Sequence, residues 1–244
     1  MEAHCISIES NVDFAETITS HDTIAFCYPI YCSRVPRIMR EFVTKHMEHL
    51  KGKKIIIFVT QWLFSGDGAR VFTDMFEENY IEVIYAQHFN FPNNIGNLPF
   101  SKIASPEKIQ KYMRKSNIKM NKACKDIKNG VVVHHGFGIL SQSLGKIQGL
   151  PWQGNSKSDS INRSKFYLEE RTKSNVKIHP ECIACNVCIF ICPMDNLENN
   201  QGKIQPLNNC TGCYRCVNRC PKKAITVMLH RRPKWQYSNL KSKD

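Results

Sequence analysis

Cys182-Ile183-Ala184-Cys185-Asn186-Val187-Cys188-Ile189-Phe190-Ile191-Cys192-Pro193 has the spacing C-x2-C-x2-C-x3-C-P, and Cys210-Thr211-Gly212-Cys213-Tyr214-Arg215-Cys216-Val217-Asn218-Arg219-Cys220-Pro221 repeats it. Each cysteine of the second run lies 28 residues after its counterpart, so the segment is an internal duplication. Two-residue spacings let one loop wrap an iron–sulfur cubane. The x3 spacing turns the fourth thiolate away, and in this pattern it serves the other cluster. One cluster then takes Cys182, Cys185, Cys188 and Cys220, and the other takes Cys210, Cys213, Cys216 and Cys192. A zinc ribbon pairs two CxxC knuckles across a longer gap and has no use for the third cysteine of each run.

The rest of the sequence fits that chemistry. Eight of the 12 cysteines fall in the two runs, and the remaining four are Cys5, Cys27, Cys32 and Cys124. Nothing resembles a secretory signal, and no apolar run reaches the roughly 18–20 residues of a membrane span. Disulfides are therefore not the expected use of these thiols, and the expected location is the cytoplasm. The formal net charge of +13 falls to about +9 once two oxidised clusters and their thiolates are included. The excess is diffuse except at Lys222, Lys223, Arg231, Arg232 and Lys234. A nucleic-acid-associated role is the weaker reading of this charge. Steering of an acidic redox partner and a plain solvated, partly disordered tail are the two stronger ones, equally weighted.

Upstream, strands are expected at Cys5–Ile8, Thr23–Tyr28, Lys54–Thr60 and Ile81–His88. Ile55-Ile56-Ile57-Phe58-Val59 is apolar enough for a strand covered on both faces. Val35, Ile38, Met39, Phe42, Val43, Met47 and Leu50 mark a helix stopped by Gly52. A second begins after Ser105 at Pro106 and ends before Gly130. This alternation predicts a doubly wound α/β domain over 1–129. Glycines and serines predict a linker over 130–176, followed by the cysteine module over 177–230 and a basic tail over 231–244.

Three loops follow the expected strands: Tyr28-Pro29-Ile30-Tyr31, Gln61-Trp62-Leu63-Phe64-Ser65-Gly66-Asp67-Gly68-Ala69 and Phe89-Asn90-Phe91-Pro92-Asn93-Asn94. Their aromatics and glycines lie where a parallel sheet receives a planar cofactor. With the duplicated cysteine run, these loops resemble a family of anaerobe proteins that fuse a flavodoxin-like domain to a bacterial two-cluster [4Fe-4S] ferredoxin. The resemblance implies a flavodoxin-like parallel sheet, a small α+β ferredoxin domain, and FMN contacts at Tyr31, Trp62, Gly66 and Asn93. It further implies electron transfer, either as an oxidoreductase component or as a non-catalytic carrier with a docking domain.

One element of the resemblance is missing. A flavodoxin opens with a strand and a Thr/Ser-Gly-Asn-Thr-like loop that holds the FMN phosphate. Here the first glycine is Gly52, and the chain starts in what reads as the second strand. Gly154-Asn155-Ser156 follows no expected strand, so it is no substitute. Without that cradle, weak FMN binding is expected.

Overall fold

The computed structural model describes residues 3–64, 66–98, 104–153 and 167–237. Ser65, Gly154-Asn155-Ser156, the polar stretch Asn155–Ser164, Phe166 and the end of the tail lie outside these residues. Residues 1–91 and 112–160 form one compact unit, and residues 92–111 and 161–244 form another.

The first unit is built on four parallel strands: β1 (Thr23–Pro29), β2 (Lys54–Gln61), β3 (Glu82–Asn90) and β4 (Val133–His134). Their order in the sheet is their order in the chain. Helix α1 (Phe14–Thr19) precedes β1, with the Asp13 side chain accepting from the Glu16 N–H at 3.0 Å as its N-cap. Helix α2 (Arg37–Lys45) and 3-10 turns at Met47–Leu50 and Arg70–Met75 lie between the strands. The single helix expected through Leu50 is thus broken at His46, after which the chain tightens into the first 3-10 turn.

The apolar run of β2 is buried on both faces. Ile55, Ile57 and Val59 join Phe26, Tyr28, Met39, Val43, Leu50 and Phe72 in the larger core. Ile56 packs with Tyr85 on the opposite face, under Ala123 and Ile127 of helix α3 (Pro106–Lys128). That helix begins and ends where Pro106 and Gly130 predict, and Gly130 has φ +70°. Cover on the second face stops short of β1, where Ala25, Cys27 and Pro29 are exposed and alternate with buried Phe26 and Tyr28.

Two expectations change. Cys5–Ile8 forms no strand: β1 is the end of the sheet, and a strand without a hydrogen-bonding neighbour has nothing to order it. The beginning of the expected linker is also structured. Its residues supply β4 and helix α4 (Ile139–Gln153), because Val133 finds a parallel partner in Tyr85 and His134 finds one in Ala86. Among the described residues, no helix is long and apolar enough to cross a membrane.

The second unit holds two small antiparallel pairs. Strands β5 (Val176–Ile178) and β8 (Ile225–Val227) close its ends, and β6 (Leu197–Asn200) and β7 (Lys203–Pro206) form a hairpin. Gln201 and Gly202 both have positive φ, as a two-residue hairpin turn requires. Helix α5 (Leu168–Ser174) leads into β5, and short helices α6 (Val187–Phe190) and α7 (Arg215–Arg219) each carry the third cysteine of a run. Val176, Leu197, Ile204, Tyr214, Val217, Ile225 and Val227 form the core.

In the first unit, His88 is buried at the end of β3, and the Ala69 N–H donates to its Nε2 at 3.2 Å. Burial, then His135 and Lys119, push its pKa down to about 3. The unfolded chain therefore takes up a proton that the folded chain refuses. The histidine's contribution is fully present above about pH 6.5 and is lost as pH falls toward 3, at about 1.4 kcal/mol per unit. Between pH 7 and pH 5, urea unfolding of the first unit should lose about 2 kcal/mol more in the wild type than in His88→Gln. Equal losses would rule out this histidine as the source.

Candidate metal centre

The eight cysteines of the duplicated runs line two cavities in the second unit. Cys182, Cys185, Cys188 and Cys220 line one, with Ile178, Ile183 and Ile225 in the wall. Cys210, Cys213, Cys216 and Cys192 line the other, with Val176, Leu197 and Val227. In each, three thiols come from one run and the fourth from the other.

The local backbone explains how so short a chain turns so many side chains inward. Ala184, Asn186 and Asp195 have φ of 49°, 61° and 47°, and their counterparts 28 residues on, Gly212, Tyr214 and Lys223, have 72°, 60° and 51°. The duplication thus extends to the rare left-handed residues that tighten each loop. Such alternations turn successive N–H groups toward a common concavity, which suits an anion. The fourth cysteines match as well: Asn196 N–H donates to Cys192 Sγ at 3.3 Å and Ala224 N–H to Cys220 Sγ at 3.2 Å. Donors of this kind stabilise negative charge on sulfur and tune a bound metal group.

Burial and neighbouring thiols push Cys188 up to about 11. Burial, followed by other cysteines, holds Cys216 well above the usual thiol range, and Cys213 is raised mainly by burial. Four thiols in an apolar wall become thiolates only if a cation shares their charge. The residues present therefore fit a metal group in each cavity. Exposure differs between the sites: Cys185 is exposed and Cys210 is 8% exposed.

The residues expected at a flavin have other partners. Tyr31 meets Trp152 edge-on at 6.1 Å. Trp62 is 46% exposed, and its carbonyl accepts from Asn90 Nδ2 at 3.3 Å. The Gly66 N–H donates to Ser33 Oγ at 3.1 Å, and Ser33 Oγ in turn donates to Gln148 Oε1 of α4. A Cβ on Gly66 would overlap the Gly145 backbone, and one on Gly145 would overlap Asp67 Oδ1. The space beside Tyr31 and Gly66 is filled by α4, so these residues do not fit a flavin ring in this conformation. Asn93 belongs to the second unit, where its Oδ1 accepts from the Ile95 N–H at 3.0 Å.

Sequence reading missed the brace around the second cysteine run. Asn94 Nδ2 donates to the Cys213 carbonyl at 3.4 Å, and Asn218 Nδ2 returns a bond to the Asn94 carbonyl at 2.9 Å. Asn97, 2% exposed, donates from Nδ2 to the carbonyls of Val227 at 3.3 Å and Leu229 at 2.7 Å. Further along, Gln236 Nε2 donates to the carbonyls of Val217 and Cys220 at 2.8 and 2.7 Å. The only available signal was the concentration of asparagines, which suits capping of stray backbone groups as well as it suits a ligand. Asn97→Ala removes the Leu229 carbonyl's side-chain donor and one of the donors to the Val227 carbonyl, and should cost about 1–3 kcal/mol. Denaturant unfolding followed through the visible absorption of reconstituted protein measures it, and an unshifted midpoint would remove Asn97 from the brace.

Comparison with known proteins matches residues 1–122 to a family model described as a flavodoxin domain and residues 207–226 to one described as a 4Fe-4S binding domain. A 67-residue stretch is 41% identical to the archaeal-type glutamate synthase [NADPH] of Dehalococcoides mccartyi, covering 26% of this chain and 12% of that protein. A 59-residue stretch is 36% identical to the pyruvate synthase subunit PorD of Methanocaldococcus jannaschii, covering 23% of this chain and 67% of that protein. The matches thus span about an eighth of the first relative and about two thirds of the second. With half its length matched and the parallel sheet in place, the chain belongs to the flavodoxin-domain family and carries a 4Fe-4S ferredoxin domain near its C-terminus.

Proposed function

We propose that this chain is an electron-transfer protein carrying two [4Fe-4S] clusters, one on Cys182, Cys185, Cys188 and Cys220 and the other on Cys210, Cys213, Cys216 and Cys192. The observation that carries the proposal is the grouping of the eight thiols into two cavities with the fourth thiol exchanged between runs. Each cluster supplies a site that takes up and releases one electron at a time. The protein positions the thiols, insulates them with isoleucines and valines, and donates N–H groups to the Cys192 and Cys220 sulfurs.

The non-catalytic carrier is the favoured form, since α4 fills the space where a flavin would take part. Likeness to part of an archaeal-type glutamate synthase and to a pyruvate synthase subunit supports exchange with a larger redox enzyme. Exposed Cys185 and Ile183 mark the cavity of Cys182, Cys185, Cys188 and Cys220 as the exchange face, with Lys222 in its wall. Arg232 donates to the Lys222 and Lys223 carbonyls at 2.9 and 3.3 Å and pairs with Glu181 at 2.6 Å, while Arg231 and Lys234 are exposed beside it in sequence. A basic rim of this kind suits an acidic partner.

Anaerobic reconstitution should give about eight iron and eight sulfide per chain. A colourless, zinc-loaded protein from the same procedure would overturn the assignment. Lys222→Gln with Arg231→Gln should slow reduction by an acidic partner at low salt and leave the rate at high salt nearly unchanged. A rate equal to the wild type's at both ionic strengths would remove the basic rim from recognition.

A further inference from the structure

The duplication that builds the two cavities is not matched side chain for side chain. Thr211 follows the first cysteine of the second run and lines the cavity of Cys210, Cys213, Cys216 and Cys192. Its counterpart 28 residues earlier is Ile183, in the wall of the other cavity. Resting on the two-cluster reading above, we propose that the Thr211 hydroxyl donates a hydrogen bond to a sulfur of the iron–sulfur group in its own cavity and raises the reduction potential of that group alone.

Thr211 is 2% exposed, and its Oγ1 is buried with no hydrogen-bond partner. A hydroxyl so placed has given up water, and leaving it unpaired is costly. Polar groups close to it in sequence are paired. The Asn209 N–H donates to Asn196 Oδ1, and Asn209 Nδ2 donates to the Met194 carbonyl at 2.7 Å. The Gly212 N–H donates to Cys210 Sγ at 3.3 Å, and the Tyr214 hydroxyl to the Val227 carbonyl at 2.8 Å. The acceptors that a filled cavity adds are negatively charged sulfurs, and a hydrogen bond to a charged group is stronger than one between neutral groups.

The counterpart positions of the other cavity lack this device. Ile183 carries no donor and is 57% exposed, so that wall is open to water. Val187 stands where the second run has Arg215, whose backbone N–H is hydrogen-bonded to Cys213 and whose guanidinium charge acts on it. Hydrogen bonds to the sulfurs, net charge and solvent exposure set the potential of a four-iron group, and a donor favours its more negative, reduced state. Two halves of one duplicated scaffold thus surround the same inorganic group differently. Thr211 supplies the part of that difference that can be removed without altering charge or outline, because valine has the same shape.

The test is an anaerobic redox titration of the reconstituted full chain, followed by electron paramagnetic resonance of the reduced clusters, with Thr211→Val, Thr211→Ala and Thr211→Ser. Thr211→Val should lower one of the two potentials by about 59 mV or more, a tenfold loss in the equilibrium constant for taking up one electron, and leave the other within about threefold of wild type. Thr211→Ala, which also lacks the hydroxyl but fills less space, should do the same and gives the reading if Thr211→Val loads iron poorly. Thr211→Ser keeps the donor and should stay within about threefold of wild type at both clusters. Unmoved potentials in the variants without the hydroxyl, an equal fall in Thr211→Ser, or a shift shared by both clusters would each overturn the role of Thr211, with the iron content intact. Wild-type protein that takes up zinc, or far fewer than about eight iron, would instead overturn the two-cluster reading and this proposal with it.

Discussion

Thiols in an apolar wall cannot carry their charges alone, and that constraint organises the second unit. Each run of C-x2-C-x2-C-x3-C closes its own cavity only with a thiol from the other run. Neither half can therefore assemble by itself, and the core built on Val217, Ile225 and Val227 forms around the exchange. The paired left-handed residues, Ala184 with Gly212 and Asn186 with Tyr214, follow from the same need. Short loops can point three thiols at one centre only by folding back sharply. Tyr214 bears a side chain in that conformation and is compensated by burial and by a 2.8 Å bond from its hydroxyl to the Val227 carbonyl.

The first unit answers a different constraint, the pairing of parallel strands. Ile55, Ile57 and Val59 on one face and Ile56 on the other can all be buried because both faces of β2 are covered. The outer face of β1 has no such cover, and its exposed Ala25 and Cys27 record the difference. At the carboxyl edge, glycines at 66 and 145 are required by backbone proximity, with neither in a left-handed conformation.

Legibility from the sequence depended on how local each signal was. The cysteine spacing is a local rule, so the duplicated runs and the ferredoxin domain they mark were readable. Strands β1 to β3 and helix α3 were also readable, because their apolar patterns and the Pro106 and Gly130 boundaries lie within a few residues. The strand expected at Cys5–Ile8 failed because strands are completed by neighbours, and composition says nothing about who the neighbour is. Residues 130–153 were misread because glycine signals flexibility in isolation and close packing in context. The positions of Asn94, Asn97 and Gln148 were illegible for the same reason. An amide side chain reveals its role only when the carbonyl or hydroxyl it meets is in view.

The segment running from Pro92 through Asn97 has a consequence for modularity. By motif, all eight thiols of the two runs lie after residue 177, and a gene fragment starting there would carry all eight. By packing, the same body begins earlier, since Asn94, Ile95 and Asn97 lie against the second cysteine run and strand β8. The inherited cassette and the folding cassette therefore have different borders. Recombination at the motif border would transfer the chemistry and leave part of its scaffold behind, so a descendant built that way would have to find new donors for the carbonyls of Cys213 and Leu229.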